Sequence, residues 1–150
     1  MKSQFEILRA CRKNIVKLLE SCSEEDLLRI SPNYNNNLLW NAAHVLVTTQ
    51  LLCYKLSGND LSINNNIVDK YRKGTKATLD SNIDVSELIE LLNSSADQLE
   101  LDYNKGLFKN YSEYPTSFGF VLKSIEDAIS FNNVHDGMHF GYMLAQKRGL

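Results

Sequence analysis

Residues 124–147 read SIEDAISFNNVHDGMHFGYMLAQK, a run free of proline that opens on Ser124-Ile125-Glu126-Asp127 and is followed by Gly149. A hydroxyl cap with acid in the first turn, and a glycine just past the end, predict one helix from Ser124 to about Lys147. Within it, His135-Asp136-Gly137-Met138-His139 sets two imidazoles one turn apart on the same face, close enough to hold one metal ion. Ala128, Phe131, Asn132, Met138, Tyr142 and Gln146 share that face, so two histidines stand in an otherwise largely apolar stripe. A buried imidazole needs a partner at each nitrogen, and a shared metal would satisfy one nitrogen of both rings.

The chain has three histidines, and the third, His44, sits in a second helical stretch. Asn33 to Asn37, broken by Tyr34, has a helix-start composition, and no proline or glycine follows until Ser57-Gly58. The expected helix spans roughly 37 to 56. Its His44 face includes Asn37, Trp40, Asn41, Val47, Thr48 and Leu51, which turns His44 into the core. If these two helices pack together, all three imidazoles meet. Asn41, Thr48, Asn132 and Gln146 lie near enough in projection to orient the nitrogens that a metal leaves over.

Three neutral imidazoles leave coordination positions open, the arrangement of a catalytic rather than a structural site. Imidazole suits zinc, nickel, copper and iron, and we take one divalent ion, zinc or nickel, as the expected cofactor. A water on such an ion becomes a nucleophile near neutral pH, and a thiol becomes a thiolate. His-x-x-x-His with an acid in second place also suggests the H-E-x-x-H metalloproteases. Asp136 is shorter than their glutamate and no sheet is evident to align a peptide, so Asp136 is read as a helix-surface or supporting residue.

Working outward, Phe5, Leu8, Ile15, Leu19 and Cys22 recur at helical spacing, interrupted only at Arg12, and define helix one. Ser23 to Asp26 caps a short turn that ends before Pro32. The polar stretch from Gly58 to Asp84 reads as a long crossover with a turn or two of helix near Val68 to Arg72. Such a crossover joins helices that run parallel. Asp84 with Glu87 forms a capping box for helix three, whose stripe is Leu88, Ile89, Leu92, Ala96, Leu99 and Tyr103. From Gly106 to Gly119 the chain is aromatic and broken, suited to covering one end. With no internal repeat and no β-hairpin signal, the expectation is an all-α four-helix bundle forming a single domain over 1–150.

A net charge of −2 leaves no basic stripe for a phosphate backbone, which argues against nucleic acid. The basic cluster Lys70, Arg72, Lys73 and Lys76 reads as a solvated loop. The N-terminal MKSQFEILRACRKN is charged where a signal peptide would be apolar, and no later segment has the length of a membrane span. The expected location is cytoplasmic, with no membrane partner. Cys11, Cys22 and Cys53 lack a C-x-x-C spacing and read as small core residues. On the side of helix four away from His135 lie Ser130, Val134, Gly137, Gly141, Leu144 and Ala145. Two mid-helix glycines suggest close approach of another backbone, from helix one or three or from a second copy in a homodimer.

Trp40-Asn41-Ala42-Ala43-His44 and His135-x-x-x-His139-x-Gly141, the latter followed by Arg148, resemble the blocks of the DinB-like, YfiT-like metal-binding four-helix superfamily. The likeness covers about 33–58 and 116–150. It implies an up-down-down-up bundle with the long crossover between helices two and three, and a divalent metal on His44, His135 and His139. It also brings in relatives that transfer low-molecular-weight thiols or isomerise thiol adducts. The expected function is a metal-dependent enzyme acting on a small molecule, a transferase moving a low-molecular-weight thiol to an electrophile or a hydrolase. The alternative is a non-catalytic metal-binding protein of stress response or interaction.

Overall fold

The computed structural model describes residues 1–79 and 83–149. Helix α1 spans Lys2–Glu20 and α2 Glu24–Leu28, the latter capped by the Ser23 hydroxyl, which accepts from the Asp26 amide. Helix α3 covers Leu38–Thr49, with the Asn37 side chain accepting from the Trp40 amide. It continues without a break through a π turn, Gln50–Tyr54, and a 3₁₀ turn, Lys55–Ser57. Gly58 ends it at φ 73°, a left-handed conformation that glycine adopts without strain. Helix α4 is Asn65–Tyr71, inside the expected crossover, of which residues 80–82 lie outside the described residues. Helix α5, Val85–Asn104, starts where Asp84 accepts from the Ser86 and Glu87 amides. Helix α6, Ile125–Lys147, starts where Ser124 accepts from Asp127. The expected helices one to four are thus α1, α3 with its extension, α5 and α6.

The aromatic stretch before α6 departs from expectation. Tyr114–Pro115 (β1) pairs antiparallel with Val121–Leu122 (β2), in the register Tyr114 to Leu122 and Pro115 to Val121. Gly119, at φ 77°, closes the turn, and both the backbone N–H and the hydroxyl of Thr116 donate to the Phe120 carbonyl. Two-residue strands are too short to show an alternating pattern, which is why no hairpin signal is visible in this stretch of the chain. The protein remains essentially all-α.

Packing follows the apolar stripes. Phe5, Leu8, Ile15 and Leu19 of α1, Leu39, Ala43 and Leu46 of α3, Leu88, Leu92 and Leu99 of α5, and Ala128 and Ile129 of α6 are all buried. Each leucine so buried contributes about 1.5–3 kcal/mol relative to exposure. Polar pairs record how the helices align. Between α1 and α6, Gln4 meets Asn133, Arg12 meets Asp136 and Ser21 meets Lys147. Between α1 and α5, Phe5 meets Tyr103, Arg9 meets Asp97 and Arg12 meets Ser95. Between α3 and α6, Asn41 meets Gln146 and Thr49 meets Asn132.

Arg12, which interrupts the stripe in sequence, is 1% exposed. Its Nε donates to Asp136 Oδ2 at 3.1 Å, its Nη2 to Thr49 Oγ1 at 2.5 Å and its Nη1 to the Ser95 hydroxyl. One guanidinium on α1 therefore holds side chains on α6, α3 and α5. Asp136 is 0% exposed, which corrects its reading as a surface residue and places it inside the core.

The outer side of α6 also differs from one expectation. A Cβ added at Gly137 or Gly141 would meet nothing within 4 Å outside its own helix, so among the described residues no other element's backbone approaches there. Val134, Met138, Tyr142 and Leu144 are exposed, although Met138 and Tyr142 project onto the histidine face in a helical wheel.

Because a buried ion pair that loses one partner leaves an uncompensated charge, Arg12→Met is expected to destabilise the fold by about 3–5 kcal/mol. Urea unfolding monitored by circular dichroism measures it; an unchanged midpoint would show that Arg12 does not organise the core.

Candidate metal centre

The three imidazoles come together. His44 on α3 and His135 and His139 on α6 each present a ring nitrogen within 4.8 Å of the other two. Ring centroids are 5.2 Å apart for His44 and His135, 4.9 Å for His44 and His139, and 4.5 Å for His135 and His139. The one-turn spacing on α6 supplies two rings, and the α3–α6 packing supplies the third.

What holds each ring decides which nitrogen is free. His44 Nδ1–H donates to the Tyr71 carbonyl at 2.6 Å, and its ring stacks on Trp40 at 4.5 Å with an interplanar angle of 12°. The Trp40 indole N–H is itself fixed on the Thr75 hydroxyl at 3.1 Å. His139 Nδ1–H donates to Asn41 Oδ1 at 2.9 Å. Asn41 Nδ2 in turn donates to Gln146 Oε1, and Gln146 Nε2 to the Asn36 carbonyl. In both histidines the proton sits on Nδ1 and the lone pair on Nε2 faces the cluster.

His135 completes the pattern differently. Its Nδ1 is buried without a hydrogen-bond partner, and so is Asp136 Oδ1, the two atoms lying 3.8 Å apart. A protonated Nδ1 is attracted to that carboxylate oxygen, which leaves Nε2 of His135 for the cluster as well. Imidazoles that grip a metal through one nitrogen characteristically give the other N–H to a carboxylate or carbonyl. His44 on Tyr71 and His139 on Asn41 meet that requirement, and the unpartnered His135 Nδ1 stands 3.8 Å from the equally unpartnered Asp136 Oδ1, so three converging imidazoles, two of them braced, fit a divalent ion.

The rings are also available to it. Burial pushes His44 down to about 4, against a smaller upward pull from its bond to Tyr71, and burial with the neighbouring histidines pushes His139 down to about 3. Both are neutral at pH 7, with lone pairs open to a metal.

The expected supporting residues are placed as follows. Asn41 holds His139 directly and Gln146 holds Asn41. Thr48 Oγ1 lies 3.3 Å from His44 Nε2, on the nitrogen facing the cluster, so it flanks the open side of the site rather than orienting the ring from behind. Asn132 touches none of the three rings by hydrogen bond. It accepts from Thr49 at 3.0 Å and donates to the Ala128 carbonyl at 2.8 Å, within the Arg12 network. Cys53 is buried beside Asn132, and burial pushes its thiol up to about 12, as suits a core residue rather than a ligand. The Tyr71 carbonyl was invisible in sequence, since any residue there offers one. The link from Arg12 to Asp136 spans 124 positions, and no local pattern reveals it.

A cavity of about 310 Å³ opens onto His44 and His135, walled by Leu51, Leu52, Leu56 and Phe131. Thr48 lines it too, and the hairpin contributes Tyr114, Thr116 and Ser117.

The family model of the DinB superfamily matches residues 7–143, and the chain belongs to that superfamily. Comparison with curated proteins gave no match. Among the described residues no helix is long and apolar enough to cross a membrane.

The depressed histidines set a pH dependence for the metal-free protein. The unfolded chain binds protons at these rings near pH 6.5, whereas the folded chain resists them down to about 4 and 3. The stability they contribute is complete above pH 6.5 and is lost as pH falls towards those values. Urea midpoints of chelated protein between pH 7 and 4.5 are expected to fall, and to fall less in the double variant His44→Phe/His139→Phe. Equal slopes in the two proteins would contradict the buried neutral state of these rings.

Proposed function

We propose that this chain is a metal-dependent enzyme that joins a low-molecular-weight thiol to an electrophilic small molecule at the His44, His135 and His139 site. The observation that carries the reading is the cavity that reaches His44 and His135, because a purely structural ion has no use for a space of about 310 Å³ at its open side. Bound there, zinc or nickel would supply a Lewis acid that keeps a thiol ionised near neutral pH.

The remaining work falls to the chain itself. Tyr71 and Asn41 hold His44 and His139 in the orientation a ligand set requires, and Asp136 Oδ1 stands 3.8 Å from His135 Nδ1. The Thr48 hydroxyl stands beside His44 Nε2, where it can donate to a sulfur entering from the cavity. Leu51, Leu52 and Phe131 exclude water from the reacting atoms. The thiol proton leaves to solvent, a sulfur–carbon bond forms, and the leaving group departs with its electron pair.

In the same reading the chain is one domain, an up-down-down-up four-helix bundle. Contacts that advance together along α1 and α6, and oppositely along α1 and α5 and along α3 and α6, support that order. Exposed Val134, Met138 and Leu144, next to glycines with open space, support a homodimer through the outer side of α6.

The direct test incubates the purified protein with glutathione or cysteine and 1-chloro-2,4-dinitrobenzene and follows the thioether by absorbance. Turnover is expected above the thiol-only rate, abolished by chelation, restored by zinc or nickel, and lost in His139→Ala. Metal-loaded protein that shows no turnover across a panel of thiols and electrophiles would instead favour a non-catalytic metal-binding role.

A further inference from the structure

The cavity beside the histidines carries charge of one sign only. Its lining includes Lys55, from the 3₁₀ turn that ends the α3 rod, and Lys73, from the loop after α4, and no acidic residue. This stands out in a chain whose net charge is −2. Among the described residues neither lysine is ion-paired, and both are exposed, so their ammonium groups are free for a ligand. The rest of the wall is divided between apolar groups, Leu51, Leu52, Leu56 and Phe131, and the hydroxyls of Thr48, Tyr114, Thr116 and Ser117. In sequence, Lys73 belongs to a basic cluster that reads as a solvated loop; the fold sets that one lysine at the rim.

We infer that the cavity binds an organic anion, with its apolar body against Leu51, Leu52, Leu56 and Phe131 and its charged end on Lys55 and Lys73. Two cations on a low-dielectric wall focus positive potential into the space and raise the local concentration of an anionic ligand. A lysine ammonium acts as a point charge with rotatable donors, so a carboxylate and a phosphate both satisfy it. Tyr114 and Ser117 on the same lining offer neutral hydroxyl donors. This inference rests on the proposed function only for which ligand enters; the charged end is recognised by the lysines.

Binding is measured by isothermal titration of chelated full-length protein at low salt with 4-phenylbutyrate, 4-phenylbutyl phosphate and uncharged 4-phenylbutanol. At least one anion is expected to bind tenfold or more tightly than the alcohol. That preference is expected to shrink severalfold in 0.5 M sodium chloride and to vanish in Lys55→Gln/Lys73→Gln, whose exposed substitutions leave the fold intact by circular dichroism. The better of the two anions identifies whether carboxylate or phosphate is preferred. Equal affinity for the alcohol, no binding of either anion, or a preference that survives in the double variant would overturn the inference. Because the protein is metal-free in this experiment, failure of the metal-dependent activity leaves the result unaffected, and the reverse also holds.

Discussion

A guanidinium without access to water must find a partner for its charge and for its N–H groups. Arg12 finds them on three helices at once, in Asp136, Thr49 and Ser95. An apolar core alone tolerates sliding of one helix along another by partial repacking. A buried charge with partners on every side does not, because a shift of one turn would strand it. The pair thus sets the register of α1 against α6, and with it the depth of Asp136. Its second oxygen then lies 3.8 Å from His135 Nδ1, so the same interaction that fixes the helices sets a negative charge beside one of the three rings.

The other two rings are fixed by α4 and α3 rather than by the Arg12 pair. Tyr71 reaches His44 from α4, a short helix of the crossover, and Asn41 reaches His139 from one turn before His44 on α3. These two rings are therefore held by different elements, and no bond joins the rings themselves. Desolvation keeps His44 and His139 neutral, which costs stability in acid and prepares them for a metal at neutral pH. The π turn at Gln50–Tyr54 lies directly after this part of α3, and Leu51 and Leu52 within it wall the cavity. A wider turn at that point is a common device where a helix borders a functional site.

Much of this was legible in the chain. Ser23, Asn37, Asp84 and Ser124 announce helix starts through side-chain caps, and each cap forms. The i, i+4 spacing of His135 and His139 and the apolar surroundings of His44 were enough to anticipate that the rings meet, since both signals are local. What escaped was non-local or backbone-borne. Arg12 looked like an interruption of an apolar stripe because its partners lie on other helices. Asp136 reads as a helix-surface or supporting residue, and the surface half of that reading fails for the same reason. The Tyr71 carbonyl has no sequence signature, and the strands flanking Gly119 are too short to alternate. Gly137 and Gly141 point to close approach of another backbone, from helix one or three or from a second copy, and among the described residues this chain supplies none.

The central claim is that three Nε2 lone pairs share one divalent ion. Elemental analysis of the tag-free, purified protein tests it most directly, with His44→Ala, His135→Ala and His139→Ala measured alongside. The account predicts close to one zinc or nickel per chain in the parent protein and strong loss of metal in each variant, with helical content retained. A protein isolated without metal that also takes up neither zinc nor nickel, or a His44→Ala variant that keeps its full complement, would contradict it.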